Sequence, residues 1–211
     1  MIRPALLWWG IGAILAAMAL GAALTAEGPD LPSIIDSGWN AMMDGVRSPV
    51  LVGFGTVLDS IGGSRIATIL GLVAVGALLL ARRWRSAVVV AVALLSSVIL
   101  VQLLKSLFGR SRPEEILITA DFGSFPSGHT ANAATFAVVA VLLFPRLWVL
   151  LVSILWIVAM AFSRTLLSAH WLSDTVGGVL IGAGTALIVG GLLLDWARTP
   201  RTLSTAPEGN D

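Results

Sequence analysis

Apolar residues run in six blocks along the chain, each bounded by charged or turn-forming residues: Ala5–Leu24, Ile66–Ala81, Ala87–Leu104, Thr130–Phe144, Leu147–Phe162 and Val176–Leu194. A helix needs about 20 apolar residues to cross a bilayer. The fourth and fifth blocks are short and are parted by Pro145 and Arg146, so both are expected to extend past their apolar runs. The pattern predicts an all-α integral membrane protein of six transmembrane helices, with residues 1–198 as one domain. The first block resembles a signal peptide, with Arg3 before it and small residues near Ala23. Its apolar run is too long for one, and it reads as an uncleaved first span. The last residues, 199–211, are polar with Pro and Gly and are expected to form a disordered cytoplasmic tail.

Between the first two blocks the period changes. Leu31, Ile34, Ile35, Trp39, Met42, Met43 and Val46 recur at helical spacing, with Ser33, Asp36, Ser37, Asn40, Asp44 and Arg47 on the other face. After Pro49 the same holds for Val50, Leu51, Phe54, Val57, Leu58 and Ile61. Both stretches predict amphipathic helices lying in the membrane interface. They serve either as a cap over the bundle or as a gate for a lipid that enters sideways. In the sixth block Gly178 and Gly182 form a small-xxx-small pair, which predicts close helix packing inside the bundle.

Composition fixes the solvent. Hydrophobic residues make up 57% of the chain and charged residues 12%, against about 25% charged in a soluble domain. The net charge of +1 gives no reason to expect nucleic acid, and the lack of cysteine excludes disulfides and thiolate metal sites. Arg3, Arg82, Arg83, Arg85, Arg146, Arg198 and Arg201 fall on one side if the spans alternate. Glu27, Asp30, Asp36, Asp44, Asp59, Glu114, Glu115 and Asp121 fall on the other. The positive-inside rule then puts both termini in the cytoplasm of a plasma or inner membrane.

The one lysine and both histidines lie between residues 105 and 170, in runs that also carry Arg112, Arg164 and Asp174. Lys105 ends the third span, and Arg112 follows it. His129 opens the fourth, Arg164 follows the fifth, and His170 and Asp174 precede the sixth. Alternation of the spans brings all of them to the extracytoplasmic face. Lys105, Arg112 and Arg164 suit the oxygens of a phosphate. Ser127 and Gly128 join the phosphate contacts, since glycine lets the backbone approach a ligand and a helix N-terminus favours an anion. If the sixth helix starts early, Asp174 shares a face with His170 and holds one ring nitrogen, leaving the other free to attack phosphorus. His129 is placed to protonate the leaving oxygen. Arg110 and Arg65 read as side chains snorkelling at helix ends. Three fixed cations would repel a metal, so no metal site is expected.

These residues stand in three runs: Lys105–(six residues)–Arg112-Pro113, Pro126-Ser127-Gly128-His129, and Ser163-Arg164–(five residues)–His170–(three residues)–Asp174. In type and order they resemble the signature of the type 2 phosphatidic acid phosphatase superfamily, with no departure at any motif position. The resemblance covers nearly the whole chain outside the tail. It implies a metal-independent phosphatase without a cofactor, acting through a phosphohistidine at His170 on a membrane lipid. Substrates implied are polyprenyl diphosphate, phosphatidylglycerophosphate and phosphatidic acid. A phosphotransferase with the same site, and a lipid or anion transporter with a vestigial one, remain open at this level.

Overall fold

The computed structural model describes residues 2–26 and 28–198. The tail 199–211, including Arg201, and Glu27 lie outside the described residues. The described chain is all-helical: α1 (Pro4–Thr25), α2 (Ile34–Val46), α3 (Pro49–Gly62), α4 (Ser64–Leu80), α5 (Trp84–Phe108), α6 (Gly128–Leu143), α7 (Leu147–Leu166) and α8 (Leu172–Arg198). Each apolar block of the sequence is one helix of this set. Four of them, α1, α5, α7 and α8, are long and apolar enough to cross a membrane. Helices α3 and α4 reach that length only as a pair bent by 51°.

The fifth block extends as expected, to Leu166, but the fourth does not: α6 has 16 residues. Ser127 caps its start and Pro145 follows its end. Flanked by α5, α7 and α8, it is a buried helix that gains its stability from protein neighbours.

Helix α8 is the centre of the bundle and packs against α1, α5 and α6. The contact with α6 is close because glycine allows it. A Cβ at Gly178 would lie 2.5 Å from the Ser127 carbonyl, and one at Gly182 would overlap the carbonyl of Ala131. The Gly178–Gly182 pair therefore packs within the bundle. Toward the other end, Val89, Val90 and Ala93 of α5 meet Val139 and Leu143 of α6 and Ala186, Val189 and Leu194 of α8.

Cationic residues mark one end of the bundle. Arg3 pairs with Asp195 at 2.7 Å, Arg85 donates to the Trp196 carbonyl, Arg198 donates to the Leu142 carbonyl, and Arg83 lies over Phe144. The motif residues lie at the opposite end.

Helix α2 is amphipathic, but turned the other way round from a soluble helix. Ile34 and Ile35 of its apolar stripe are 92% and 74% exposed, while Asp36 of its polar face is fully buried. Asn40 accepts from the Ser168 hydroxyl, and Arg47 donates to the Leu166 carbonyl and to Ser168. The polar face satisfies the irregular turn between α7 and α8; Ile34, Ile35 and Met42 of the apolar stripe face outward, while Met43 is buried.

Candidate active site

Lys105 and Arg112 are delivered by one turn of chain. Helix α5 stops at Gly109, whose φ of 55° is left-handed and whose N–H bonds the Lys105 carbonyl. The loop that follows doubles back, so that Arg112 returns beside Lys105. Asp121, further along the loop, joins them: its Oδ1 lies 2.8 Å from Lys105 Nζ and 2.6 Å from an Arg112 nitrogen. Arg112 also donates to the carbonyls of Gly123 and Ala169, which fixes its fork.

Arg164 comes from the last turn of α7 and is buried. It pairs with Asp59 of α3. The same carboxylate lies 3.2 Å from Nε2 of His129, at the start of α6. Asp59 thus touches one phosphate-binding candidate and one proton-transfer candidate.

His170 sits in the turn before α8. The helix does not start early: its first residue is Leu172. His170 and Asp174 therefore do not share a helix face. Nδ1 of His170 lies 3.5 Å from Asp174 Oδ2, beyond a good hydrogen bond, and is buried without a hydrogen-bond partner. The other nitrogen, Nε2, is 3.1 Å from Arg112 and faces the cations. Burial, then the charges of Arg112 and Arg164, hold the imidazole well below its ordinary range. A neutral ring with Nε2 unprotonated accepts a hydrogen bond from Arg112, so its lone pair is directed into the cation cluster.

Asp174 is occupied elsewhere. Its Oδ2 accepts from the Trp171 backbone N–H at 2.9 Å, closing the first turn of α8 in the manner of a capping box. Its Oδ1 accepts from Arg110 at 2.6 Å. Arg110 is 1% exposed, which overturns its reading as a snorkelling side chain. Helix α5 has already ended, and the loop carries Arg110 inward between Asp174 and Asp36.

Lys105, Arg112, Gly128, His129, Arg164 and His170 line one end of a cavity of 640 Å³. Ser127 is fully buried instead, its hydroxyl accepting from Thr130 at 3.1 Å. The rest of the cavity runs between α4 and α5, past Gly71, Leu72, Val75, Leu94, Leu95 and Val98. No residue of α2 lines it, so the gate reading of α2, which would have Ile35 and Trp39 shape an opening, gives way to the α4–α5 groove. No group of three or more His, Asp or Glu side chains among the described residues is arranged to hold a metal.

Four site residues are not singled out by the sequence: Asp36, Asp59 and Asp121, which it groups with the outer-face acids, and Arg110, which it offers as a helix-end arginine. The available signal was Arg110's position two residues before Arg112, within the same run.

The chain is 30% identical over 126 residues to the lipid A 1-phosphatase of Rhizobium johnstonii, covering 53% of this chain and 48% of that protein. The lipid A 1-phosphatase of Rhizobium etli is 31% identical over 123 residues, 53% of this chain and 50% of the relative. The chain spans about half the length of these curated relatives. In structure it resembles a transmembrane PAP2 type phosphatidylglycerolphosphate phosphatase from Bacillus subtilis, with a TM-score of 0.78 at 23% identity over 92% of this chain and 100% of the other. Aquifex aeolicus LpxE gives a TM-score of 0.60 at 24% identity over 71% and 91%. A family model described as the PAP2 superfamily matches residues 86–196, which carry all three motif runs, and the chain belongs to that superfamily.

Proposed function

We propose that this protein is a membrane phosphatase of a lipid phosphate or diphosphate, with His170 as nucleophile. The observation that carries the reading is the shape of one cavity. Three cations and two imidazoles line one end, and an apolar groove between α4 and α5 makes up the rest. That is the outline of a phosphorylated lipid.

In this reading Lys105, Arg112 and Arg164 bind the phosphoryl oxygens and offset the charge that develops on them. Gly128 brings backbone close to the same group. Nε2 of His170 attacks phosphorus, forming an N–P bond as the bond to the leaving oxygen breaks. His129 gives that oxygen a proton. A water, deprotonated by His129, then attacks the phosphohistidine and releases inorganic phosphate. Asp174 acts by holding the turn that carries His170. Every step uses side chains of this chain alone, without metal or cofactor.

The groove supports sideways access, since pulling a long chain out of lipid costs about 0.8 kcal/mol per methylene. The separation of the arginine-rich end from the motif end supports six spans, cytoplasmic termini and an extracytoplasmic site. With α2 and α3 set at the outer interface, residues 1–198 act as a single phosphatase domain. The names of the relatives add lipid A 1-phosphate to the substrates to test.

The test is phosphate release by purified protein in EDTA from phosphatidylglycerophosphate, phosphatidic acid, undecaprenyl diphosphate and lipid A 1-phosphate. Release from at least one is expected. No release from any, or release only with added divalent metal, would overturn the reading.

A further inference from the structure

Behind the catalytic turn, Asp174 belongs to a cluster whose other members have no part in the chemistry above. Asp36, Arg110, Ser173 and Asp174 come from α2, the α5–α6 loop and the start of α8. Asp36 and Asp174 are fully buried and Arg110 is 1% exposed. One guanidinium joins the two carboxylates, at 2.7 Å to Asp36 Oδ2 and 2.6 Å to Asp174 Oδ1. Asp36 is saturated: it also accepts from Ser33 Oγ at 2.9 Å, Ser173 Oγ at 2.6 Å and the Ser173 backbone N–H at 2.9 Å. Ser173 in turn accepts from Arg110 at 2.8 Å. Trp171 closes the top: its ring lies over Arg110 at 5.7 Å, and its indole N–H donates to the Ser111 carbonyl.

We propose that Asp36 is a positioning residue for the nucleophile. Through Arg110 and Ser173 it fixes the Asp174 carboxylate and the first turn of α8, and so the place of His170. The inference rests on the proposed role of His170.

Both the energetics and the charge of the cluster favour this over simple scaffolding. A buried ion triad is a poor way to gain stability, because desolvation offsets most of its attraction, and apolar residues of similar volume often do as well. What such a network gives is fixed geometry, and here Asp36 and Arg110 both bond to residues within four of His170, Asp36 to Ser173 and Arg110 to Ser173 and Asp174. The charges also do not balance. Two carboxylates share one guanidinium, leaving a net negative charge behind the ring. On the other side, Lys105, Arg112 and Arg164 disfavour positive charge on it. Bond formation from Nε2 to phosphorus makes the ring more positive, and the buried excess of negative charge favours that step. Without Asp36, Arg110 would be fully engaged by Asp174, and the excess would vanish.

Orthovanadate and inorganic phosphate separate this role from a structural one, since neither needs the substrate to be known. Vanadate can take a fifth ligand and bond to Nε2 of His170. Phosphate is held by the cations alone. Calorimetric titration of the full chain with each anion would compare wild type, Asp36→Asn, Ser173→Ala and His170→Ala.

We expect Asp36→Asn to weaken vanadate on the order of ten-fold while phosphate stays within about two-fold, the scale on which loss of one charged hydrogen bond is felt. Ser173→Ala should do the same more mildly, and it decides the matter alone if Asp36→Asn does not fold. His170→Ala should bring vanadate down to the affinity of phosphate. Wild-type vanadate affinity in Asp36→Asn or Ser173→Ala, with His170→Ala weakened, would overturn the inference and leave the nucleophile standing. Equal weakening of both anions would make Asp36 a part of the scaffold, against the inference. Vanadate binding unchanged in His170→Ala would instead remove His170 as nucleophile, and the inference with it.

Discussion

The carboxylate of Asp121 lies 2.8 Å from the ammonium of Lys105, the chain's one lysine. Lys105 is almost fully buried, whereas the Asp121 side chain is 58% exposed. An exposed acid on a buried cation stands where a phosphoryl oxygen would bind. Asp121→Asn should therefore tighten inhibition by inorganic phosphate. The gain should be modest, about two- to five-fold, because a half-exposed ion pair is worth about 1 kcal/mol or less. Weaker inhibition would show instead that Asp121 holds Lys105 and Arg112 in their working places.

The two histidines should separate by step. His170→Ala should abolish turnover in protein that still inserts and folds. His129→Ala should lose most of the rate, about 10²- to 10⁴-fold for a general acid, yet still accumulate a phosphoenzyme that acid quenching and radiolabel would trap. Wild-type turnover in His170→Ala would rule out the phosphohistidine route.

Lys105, Arg112, His129, Arg164 and His170 were legible because motif spacing and span alternation both place them at one end, and all five line one cavity. Asp36 was not. An amphipathic pattern gives the two faces of a helix without saying which meets protein, and in a bilayer the apolar face turns outward. Arg110 and Arg112 are two apart in an irregular loop, and no periodicity tells which of the two enters the core. The groove was hidden for a related reason. Leu72 and Val98 line it, and Leu103 and Leu107 are exposed outside it, yet all are the same kind of residue in the sequence.

The depressed titration of His170 has a sign that stability can check. Burial first, then Arg112 and Arg164, keep the folded ring neutral below its ordinary value, which is about 6.5 in an unfolded chain. The unfolded state therefore takes up this proton first on acidification. The contribution to stability is complete above about pH 6.5 and is lost as pH falls below it, with a slope of up to about 1.4 kcal/mol per unit. Unfolding of wild type and His170→Gln from pH 7 to pH 5 should diverge accordingly, with wild type losing more. Parallel curves would mean the ring titrates normally in the folded protein.

Asymmetry between Arg164 and a lysine in its place should be large. Its guanidinium is buried and pairs with Asp59, which also reaches His129. A lysine would keep the charge and lose the planar fork. Arg164→Lys should lower kcat at least about ten-fold, as expected when a charged hydrogen bond worth about 1.5–3 kcal/mol is lost. Activity within two-fold of wild type would reduce Arg164 to a point charge.

The groove between α4 and α5 makes a prediction that depends on chain length. Leu95 and Val98 of α5 line the cavity and are 63% and 52% exposed. A lipid tail lying there would touch them while its phosphate met Lys105 about two to three turns further along the same helix. Val98→Trp should fill that passage and leave the motif residues untouched. Long-chain substrates should then lose kcat/KM by about ten-fold or more, since several methylenes at about 0.8 kcal/mol each would be displaced. A short-chain phosphate should be spared. Ile35→Ser with Trp39→Ser, on α2, should not discriminate by chain length. If the α2 variant discriminates and Val98→Trp does not, the tail lies along α2 and the groove is unrelated to catalysis.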